Sequence, residues 1–239
     1  MMNDFFYFLL SKHYLDVLII FFALFAFFHI VKFKPKGWAI YLFSLYILSG
    51  LYLFSFGNAY VIKNFWGLKN EYFHTANELN NAFFCTSELV AFSTFFYFSF
   101  KNAYQRSATI FLILINIVYL LHFISTLFDK SNSNQFIWLS SILLNILELI
   151  TLFILCIFFY YSTMKSTTSL FPKNKAILWI VNSLFFYIIL SLPFFIIIKE
   201  IRSVNREFYV LMYVIHYLAL TNLFLWIGLA LRTKKSIME

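Results

Sequence analysis

Seven long apolar segments fill most of this 239-residue chain, and basic residues collect in alternate loops between them. Each segment is long enough to cross the hydrocarbon core of a bilayer, which is about 30 Å thick and takes roughly 20 helical residues. In lipid a helix satisfies its own backbone hydrogen bonds, whereas the strands of a β-barrel would be alternating segments of only about ten residues. The sequence therefore predicts an all-α, polytopic membrane protein in which residues 1–239 form one seven-transmembrane helix bundle.

The predicted spans follow the apolar segments and end at polar or charged residues. They cover 14–31, 38–57, 81–100, 108–128, 136–161, 176–198 and 208–231. The longest predicted loop, residues 58–80, joins the second span to the third, and no loop is large enough to form a separate domain. We therefore expect no catalytic output domain, so that any signal would pass to another chain.

The basic residues predict the orientation of the bundle. Eleven of the 18 lysines and arginines lie in the first, third and fifth loops and the carboxyl-terminal tail, with one acid, Glu239, on the same side. By the positive-inside rule the amino terminus is outside and the carboxyl terminus cytoplasmic, as an odd number of spans requires. The net charge of +8 then reflects topology and attraction to anionic lipids, so nucleic acid is not a predicted partner. We expect a multi-pass protein of the inner (plasma) membrane.

Two carboxyl side chains lie near the middle of predicted spans, Glu88 in span three and Glu148 in span five. Ionisable groups inside the bilayer are costly, and they commonly mark functional sites. Polar residues recur around them at helical spacing: Asn81, Cys85 and Glu88 on span three, and Ser141, Asn145, Glu148 and Thr151 on span five. Such stripes should face the interior of the bundle or a wet cavity.

Other polar residues fall at similar or slightly shallower depth, Asn116 and His122 in span four and His216 and Asn222 in span seven. Together they predict a polar pocket in the outer half of the bundle. The predicted ligand-binding residues are Glu88, Asn116, His122, Asn145, Glu148, His216 and Asn222. The alternative is structural, because polar side chains also join helices through hydrogen bonds worth about 0.6 kcal/mol each, without any ligand.

The sequence gives little support for a metal site, a catalytic nucleophile or a bound retinal. The chain has no HxxxH or HExxH spacing for a metal site and no GxSx motif for a serine nucleophile. Span seven has no lysine that could form a retinal Schiff base. Cys85 and Cys156 are expected at different depths, too far apart for a disulfide, and are predicted as packing residues. We therefore predict no catalytic residue, no metal and no cofactor.

A short internal similarity links spans three and five. Glu88-Leu89-Val90 and Glu148-Leu149-Ile150 each precede an aromatic run. This pattern indicates a parallel repeat of the kind that some transporters contain.

Short aromatic-rich motifs carry a family resemblance. They are Asn81, Glu88 and Phe95-Phe96-Tyr97, then a basic loop, then Trp179, Phe185-Phe186-Tyr187 and, in the last span, Asn222. The combination resembles a group of uncharacterised heptahelical inner-membrane proteins of Bacteroidetes-type bacteria, similar to the 7TM sensor regions of histidine kinases. The resemblance implies a signalling-associated membrane protein, with Glu88 at the acidic position of that group. The chain departs from the sensor-kinase pattern because it ends a few residues after span seven.

Three functions follow from these patterns. The first is a sensory or signalling-accessory module that passes a ligand or lipid state to a cytoplasmic or membrane partner protein. The alternative is a small proton- or cation-coupled transporter or channel. Transporters favour broken helices at their binding site, whereas only Pro193 and Gly228 interrupt the predicted spans here. The third is a lipid-processing enzyme that would use Glu88, Glu148 and His122 for acid–base chemistry. Membrane lipids are expected contacts in every case, and a homo-oligomer stays open.

Overall fold

The computed structural model describes residues 14–33, 38–55, 70–129, 133–165 and 175–232, and every regular element in these ranges is an α-helix. The helices in chain order are α1 (Tyr14–Phe33), α2 (Trp38–Ser55), α3 (Asn70–Ser99), α4 (Ala103–Phe128), α5 (Asn134–Lys165), α6 (Lys175–Val204) and α7 (Arg206–Leu231). The prediction of an all-α protein is confirmed.

Six of these helices are long and apolar enough to cross a membrane, namely α1 and α3 to α7. Helix α2 is shorter, and its apolar part covers Tyr41–Ser55. Several such helices make the chain a multi-pass helical membrane protein. The seven-span count and the orientation of the termini stay predictions.

Helix α4 shows most directly what surrounds the helices. Many of its exposed side chains are large and apolar, among them Phe111, Leu114 and Val118. Its buried face instead carries polar residues, including Gln105 and Asn116. A helix that buries amides and exposes phenylalanine is stable in lipid, where polar groups must find their partners inside the protein.

Two sequence-based expectations about helix limits need correction. Helix α3 begins at Asn70, so the predicted loop 58–80 is helical over its last eleven residues, because a polar helical turn carries no apolar periodicity that would reveal it. Helix α6 continues through Pro193, which had been expected to interrupt span six. A proline removes one backbone donor and kinks a helix, but it does not have to end one in a membrane.

The helices divide into two compact units. The first unit contains α1, α6 and α7, and in it α7 packs against both α1 and α6. The second unit contains α2 to α5, and in it α3 packs against α2 and α4. Helix α5 joins α3 and α4 through side-chain hydrogen bonds. A single domain formed by all seven helices stays a prediction.

The second unit is filled at one end by phenylalanine rings, which we call the aromatic cluster. Its members are Phe43 of α2, Phe92, Phe95 and Phe96 of α3, and Phe159 of α5, all of them buried. The ring centroids of Phe43 and Phe92 are 5.4 Å apart, and those of Phe96 and Phe159 are 6.2 Å apart. These contacts bind α2, α3 and α5 to one another on the carboxyl-terminal side of Glu88.

Within the first unit, α1 and α7 lie close together at Gly228. A Cβ atom at this position would lie 2.8 Å from the Phe25 ring and 3.1 Å from the Cα atom of Ala26. Transmembrane helices commonly use small residues where their backbones meet, because packing rather than water drives their association. Gly228 therefore sets the distance between these two helices.

Gly228→Leu should lower the free energy of unfolding by about 1–3 kcal/mol, the usual cost of overpacking, because the added side chain has no room beside Phe25. Thermal melting of the purified protein in mild detergent measures this change. Leu218→Ala on the exposed face of the same helix is the control and should melt close to the wild type. Equal melting of Gly228→Leu and wild type would contradict the packing described for α1 and α7.

Candidate functional site

The two mid-span glutamates come together in the second unit. Glu88 of α3 is 1% exposed and Glu148 of α5 is 4% exposed. Their side chains are close enough to interact electrostatically. We call Glu88 and Glu148 the carboxyl pair.

A hydrogen bond between α3 and α5 sets the register that brings the pair together. The Cys85 thiol donates to Asn145 Oδ1 over 3.0 Å, and Asn145 Nδ2 donates to the Ser141 carbonyl of its own helix over 2.8 Å. Residues 85 and 145 differ by 60, as do 88 and 148. A constant difference of this kind is typical of two parallel helices, so the polar stripes predicted on spans three and five face each other.

Two further side chains interact with the pair. The Tyr46 phenol of α2 interacts with Glu88, and the Cys85 thiol interacts with both carboxyls. Tyr46 is fully buried and Cys85 nearly so. The pair therefore lies beside a phenol and a thiol, which are neutral groups that can donate a hydrogen bond.

The carboxyl pair retains unused hydrogen-bonding capacity. Oε1 of Glu88 and Oε1 of Glu148 are buried, and neither has a hydrogen-bond partner among the residues that the structure describes. Within the same residues, no lysine, arginine or histidine interacts with either carboxyl. A buried ion without compensation costs several kcal/mol, and two adjacent anions repel each other as well. A proton or a small cation therefore has to reduce the charge of the pair.

A cavity of about 30 Å³ lies beside Glu148, between α3, α4 and α5. Its polar lining groups are Cys85, Thr86, Asn116 and Glu148, and the others are aliphatic. A cavity needs about 10–15 Å³ for one water molecule, so this one has room for about two. It is far smaller than a pocket for a drug-sized ligand, which takes about 300–1,000 Å³.

Asn116 connects α4 to the same region. Its Nδ2 donates to Thr151 Oγ1 over 2.7 Å and to the Leu112 carbonyl over 2.9 Å. Its Oδ1 is buried and has no hydrogen-bond partner in the described ranges. An amide oxygen in this position could accept a hydrogen bond from water in the cavity.

Four predicted site residues thus lie together, Glu88, Asn116, Asn145 and Glu148, whereas His122 lies apart from them. The His122 side chain is on the exposed face of α4 and does not line the cavity. Its ring contacts Tyr119, with 6.0 Å between the ring centroids.

His216 and Asn222 belong to the first unit, where each has a local partner. His216 Nδ1 is 2.8 Å from the Ser191 hydroxyl oxygen, and the imidazole stacks on the Phe194 ring at 5.5 Å. Asn222 Oδ1 accepts a hydrogen bond from Trp226 Nε1 over 3.1 Å. These contacts join neighbouring side chains within that unit, and a ligand-binding role for either residue stays a prediction.

Cys85 and Tyr46 interact with the carboxyl pair, and the sequence analysis predicted neither interaction. Cys85 was predicted as a packing residue, although its position three residues before Glu88 on one helical stripe was a usable signal. Tyr46 gave no comparable signal, because it is one of 16 tyrosines and only the packing of α2 on α3 brings it to Glu88.

Metal binding has no assembled donor set in the described part of the chain, where no group of three or more His, Cys, Asp and Glu side chains could hold an ion. Comparisons with protein-family models, curated proteins and solved structures find no match. The geometry of the carboxyl pair therefore carries the functional argument.

Thr151→Val removes the hydroxyl that accepts from Asn116 while keeping the side-chain volume nearly constant. We expect a loss of about 0.6 kcal/mol, and at most about 1.7 kcal/mol, as for other hydrogen bonds between transmembrane helices. Unfolding in mixed detergent micelles measures this difference. Ser125→Ala is the matched control, because Ser125 is exposed and its hydroxyl donates within its own helix, to the His122 carbonyl. A Thr151→Val variant as stable as wild type would show that this bond does not help to hold α4 on α5.

Proposed function

We propose that the protein is an integral membrane sensory module whose carboxyl pair binds a proton as its ligand. One observation carries this proposal: two buried carboxyls interact with each other, and each keeps an unpartnered oxygen. A shared proton reduces the charge of the pair and lets one carboxyl donate to the other. Loss of that proton leaves two negative charges on α3 and α5.

The repulsion in the deprotonated pair is large enough to change helix packing. Two charges about 4 Å apart interact by about 4 kcal/mol at an effective dielectric constant of 20. Since every 1.4 kcal/mol is a factor of ten, this energy can shift a two-state equilibrium roughly a thousandfold. Proton occupancy therefore supplies the differential free energy that a switch between two packings of α3 and α5 requires.

The helices around the pair favour sensing over transport. Helices α3, α4 and α5 are each continuous past the site. Transporters commonly bind substrate where helices are broken, because unwound backbone and helix ends coordinate the substrate there. The small cavity also suits a proton and water better than a larger ligand.

A proton-coupled transporter is the second candidate, and the cavity is the observation that favours it. Water next to Glu148 could accept a proton from the pair and move it onward. The third hypothesis, a lipid-processing enzyme, loses support because His122 lies on the exposed face of α4 and away from both glutamates.

The remaining parts of the proposal concern surroundings and partners. Exposed aliphatic and aromatic side chains on α1 and α4 support contact with membrane lipids. We propose the inner (plasma) membrane as the location, and a cytoplasmic or membrane protein as the receiver of the signal. The basic loops predicted to face the cytoplasm offer such a partner a positively charged surface.

The proposal predicts that the distance between α3 and α5 depends on pH. Spin labels at Phe98→Cys and Ile157→Cys, both exposed positions, would report this distance by pulsed electron paramagnetic resonance in a Cys156→Ala background. We expect the distance distribution to shift with pH in the otherwise wild-type protein. Glu88→Gln and Glu148→Gln should each abolish the shift, because a single carboxyl cannot create the repulsion. Glu207→Gln, at an exposed glutamate, is the matched control and should leave the shift unchanged.

A dye that reports internal pH in proteoliposomes separates the two candidate functions. A sensor changes the α3–α5 distance without net proton flux, whereas a transporter shows flux that Glu88→Gln removes. A distance that does not respond to pH, together with an absence of flux, would contradict both.

A further inference from the structure

We propose that protons reach the carboxyl pair from one side of the membrane only, through polar side chains on the amino-terminal side of the pair. The aromatic cluster closes the opposite side. This inference rests on the proposed function, because it names the direction from which the pair is protonated.

The first half of the path is a polar stripe on α3. Glu78, Asn81 and Cys85 precede Glu88 at intervals of three and four residues, which places all four on one face of the helix. Glu78 is largely buried and lies in the first turn of the apolar span, which begins at Thr75. At 1.5 Å per residue, the stripe extends about 15 Å from Glu78 to Glu88.

The second half of the path is the facing stripe on α5. The register set by the bond between Cys85 and Asn145 places Asn81 opposite Ser141. Successive polar side chains on either helix are three or four residues apart, which is about 4.5–6 Å along the axis. We call Glu78, Asn81, Cys85, Ser141 and Asn145 the access path. Gaps of this length are bridged by single water molecules.

The same register gives an apolar seam beyond the pair. After Glu88 and Glu148 the facing residues become Phe92 and Leu152, Phe95 and Leu155, and Phe96 and Cys156, all completely buried. Phe92, Phe95 and Phe96 belong to the aromatic cluster, whose rings pack against α2 and α5. Close-packed apolar side chains leave little space for water along this seam. The buried Ser93 hydroxyl of α3 lies five residues past Glu88, on a different face of the helix.

Among the described residues, the other helices packed on the pair add few polar groups on its carboxyl-terminal side. Helix α2 contributes the Tyr46 phenol, and α4 contributes the neutral amide Asn116. Asn116 of α4 and Thr151 of α5 place polar groups about one turn past the pair on its carboxyl-terminal side. Farther in the same direction, the next polar side chain on α4 is Thr109. The six intervening residues on α4 are all aliphatic or aromatic, a gap of about 10 Å along the helix.

Because protons reach the pair from one side only, the pair responds to the pH on that side of the membrane. By the predicted topology the amino-terminal end of α3 faces outside, so the pair equilibrates with the external medium. A site that exchanges protons with one side only cannot carry them across the membrane. The path therefore makes the protein a reporter of external pH.

Labelling with dicyclohexylcarbodiimide at separately fixed internal and external pH tests this direction. The reagent crosses membranes and adds to a protonated carboxyl to form a stable N-acylurea, so the labelled fraction of Glu88 and Glu148 reports their protonation. The orientation of the protein in the vesicles is determined from whether an added protease can cleave a terminal tag. Peptide mass spectrometry then quantifies the adduct on each glutamate. We expect labelling to follow the pH on the side of the α3 amino-terminal end and to ignore the pH on the other side.

Adjacent asparagines supply matched variants for the path. Asn81→Leu removes a member of the access path, and we expect it to slow the labelling response after a pH jump at least tenfold. Asn80→Leu makes the same chemical change one position away, off the stripe, where Asn80 accepts from the Tyr52 hydroxyl. This control should respond as fast as the wild type.

The outcomes separate the two proposals. Labelling that follows the pH of the opposite side or of both sides equally, or a response equally fast in the Asn81→Leu and Asn80→Leu variants, would overturn one-sided access while proton binding stands. Labelling of neither glutamate, or labelling independent of pH on both sides, would overturn proton binding itself and this inference with it.

Discussion

Two carboxyl groups buried side by side are the constraint on which the second unit depends. Because Glu88 and Glu148 are both buried, ionising both of them costs free energy. No basic side chain in the described ranges interacts with either carboxyl to offset this cost. The surrounding groups match this constraint. Tyr46 and Cys85 are neutral groups that interact with the pair without fixing its charge, and Asn145 bonds to Cys85. A lysine in their place would lock the pair as an ion pair and remove its sensitivity to protons.

The lipid environment explains why polar groups collect along one seam. Helix α4 exposes aromatic and aliphatic side chains and buries its amides, so its polar residues meet α5 rather than the solvent. In lipid, apolar burial contributes little to helix association, and close packing and hydrogen bonds take its place. The tight contact at Gly228 is an example of such close packing, and the Asn116–Thr151 bond is an example of such a hydrogen bond.

The sequence predicted the elements better than their lateral arrangement. Apolar length predicted seven spans, and six of these segments are helices long and apolar enough to cross a membrane. The cost of mid-span carboxyls singled out Glu88 and Glu148. Depth along each span could be estimated from residue number, but the direction in which a side chain points could not. His122 has a suitable depth, yet it lies on the exposed face of α4. The start of α3 at Asn70 was hidden because its first turns are polar, and the role of Tyr46 was hidden because it depends on the packing of α2 on α3.

Infrared spectroscopy of the protein in lipid reports directly whether the carboxyl pair carries a proton. A protonated carboxylic acid has a carbonyl stretching band distinct from that of a carboxylate, and burial away from water narrows it. We predict such a band in the wild type, weakened or shifted in Glu88→Gln and in Glu148→Gln and missing from the double variant. A spectrum in which the double variant retains the full band, or in which the wild type has none at any pH, would contradict the account.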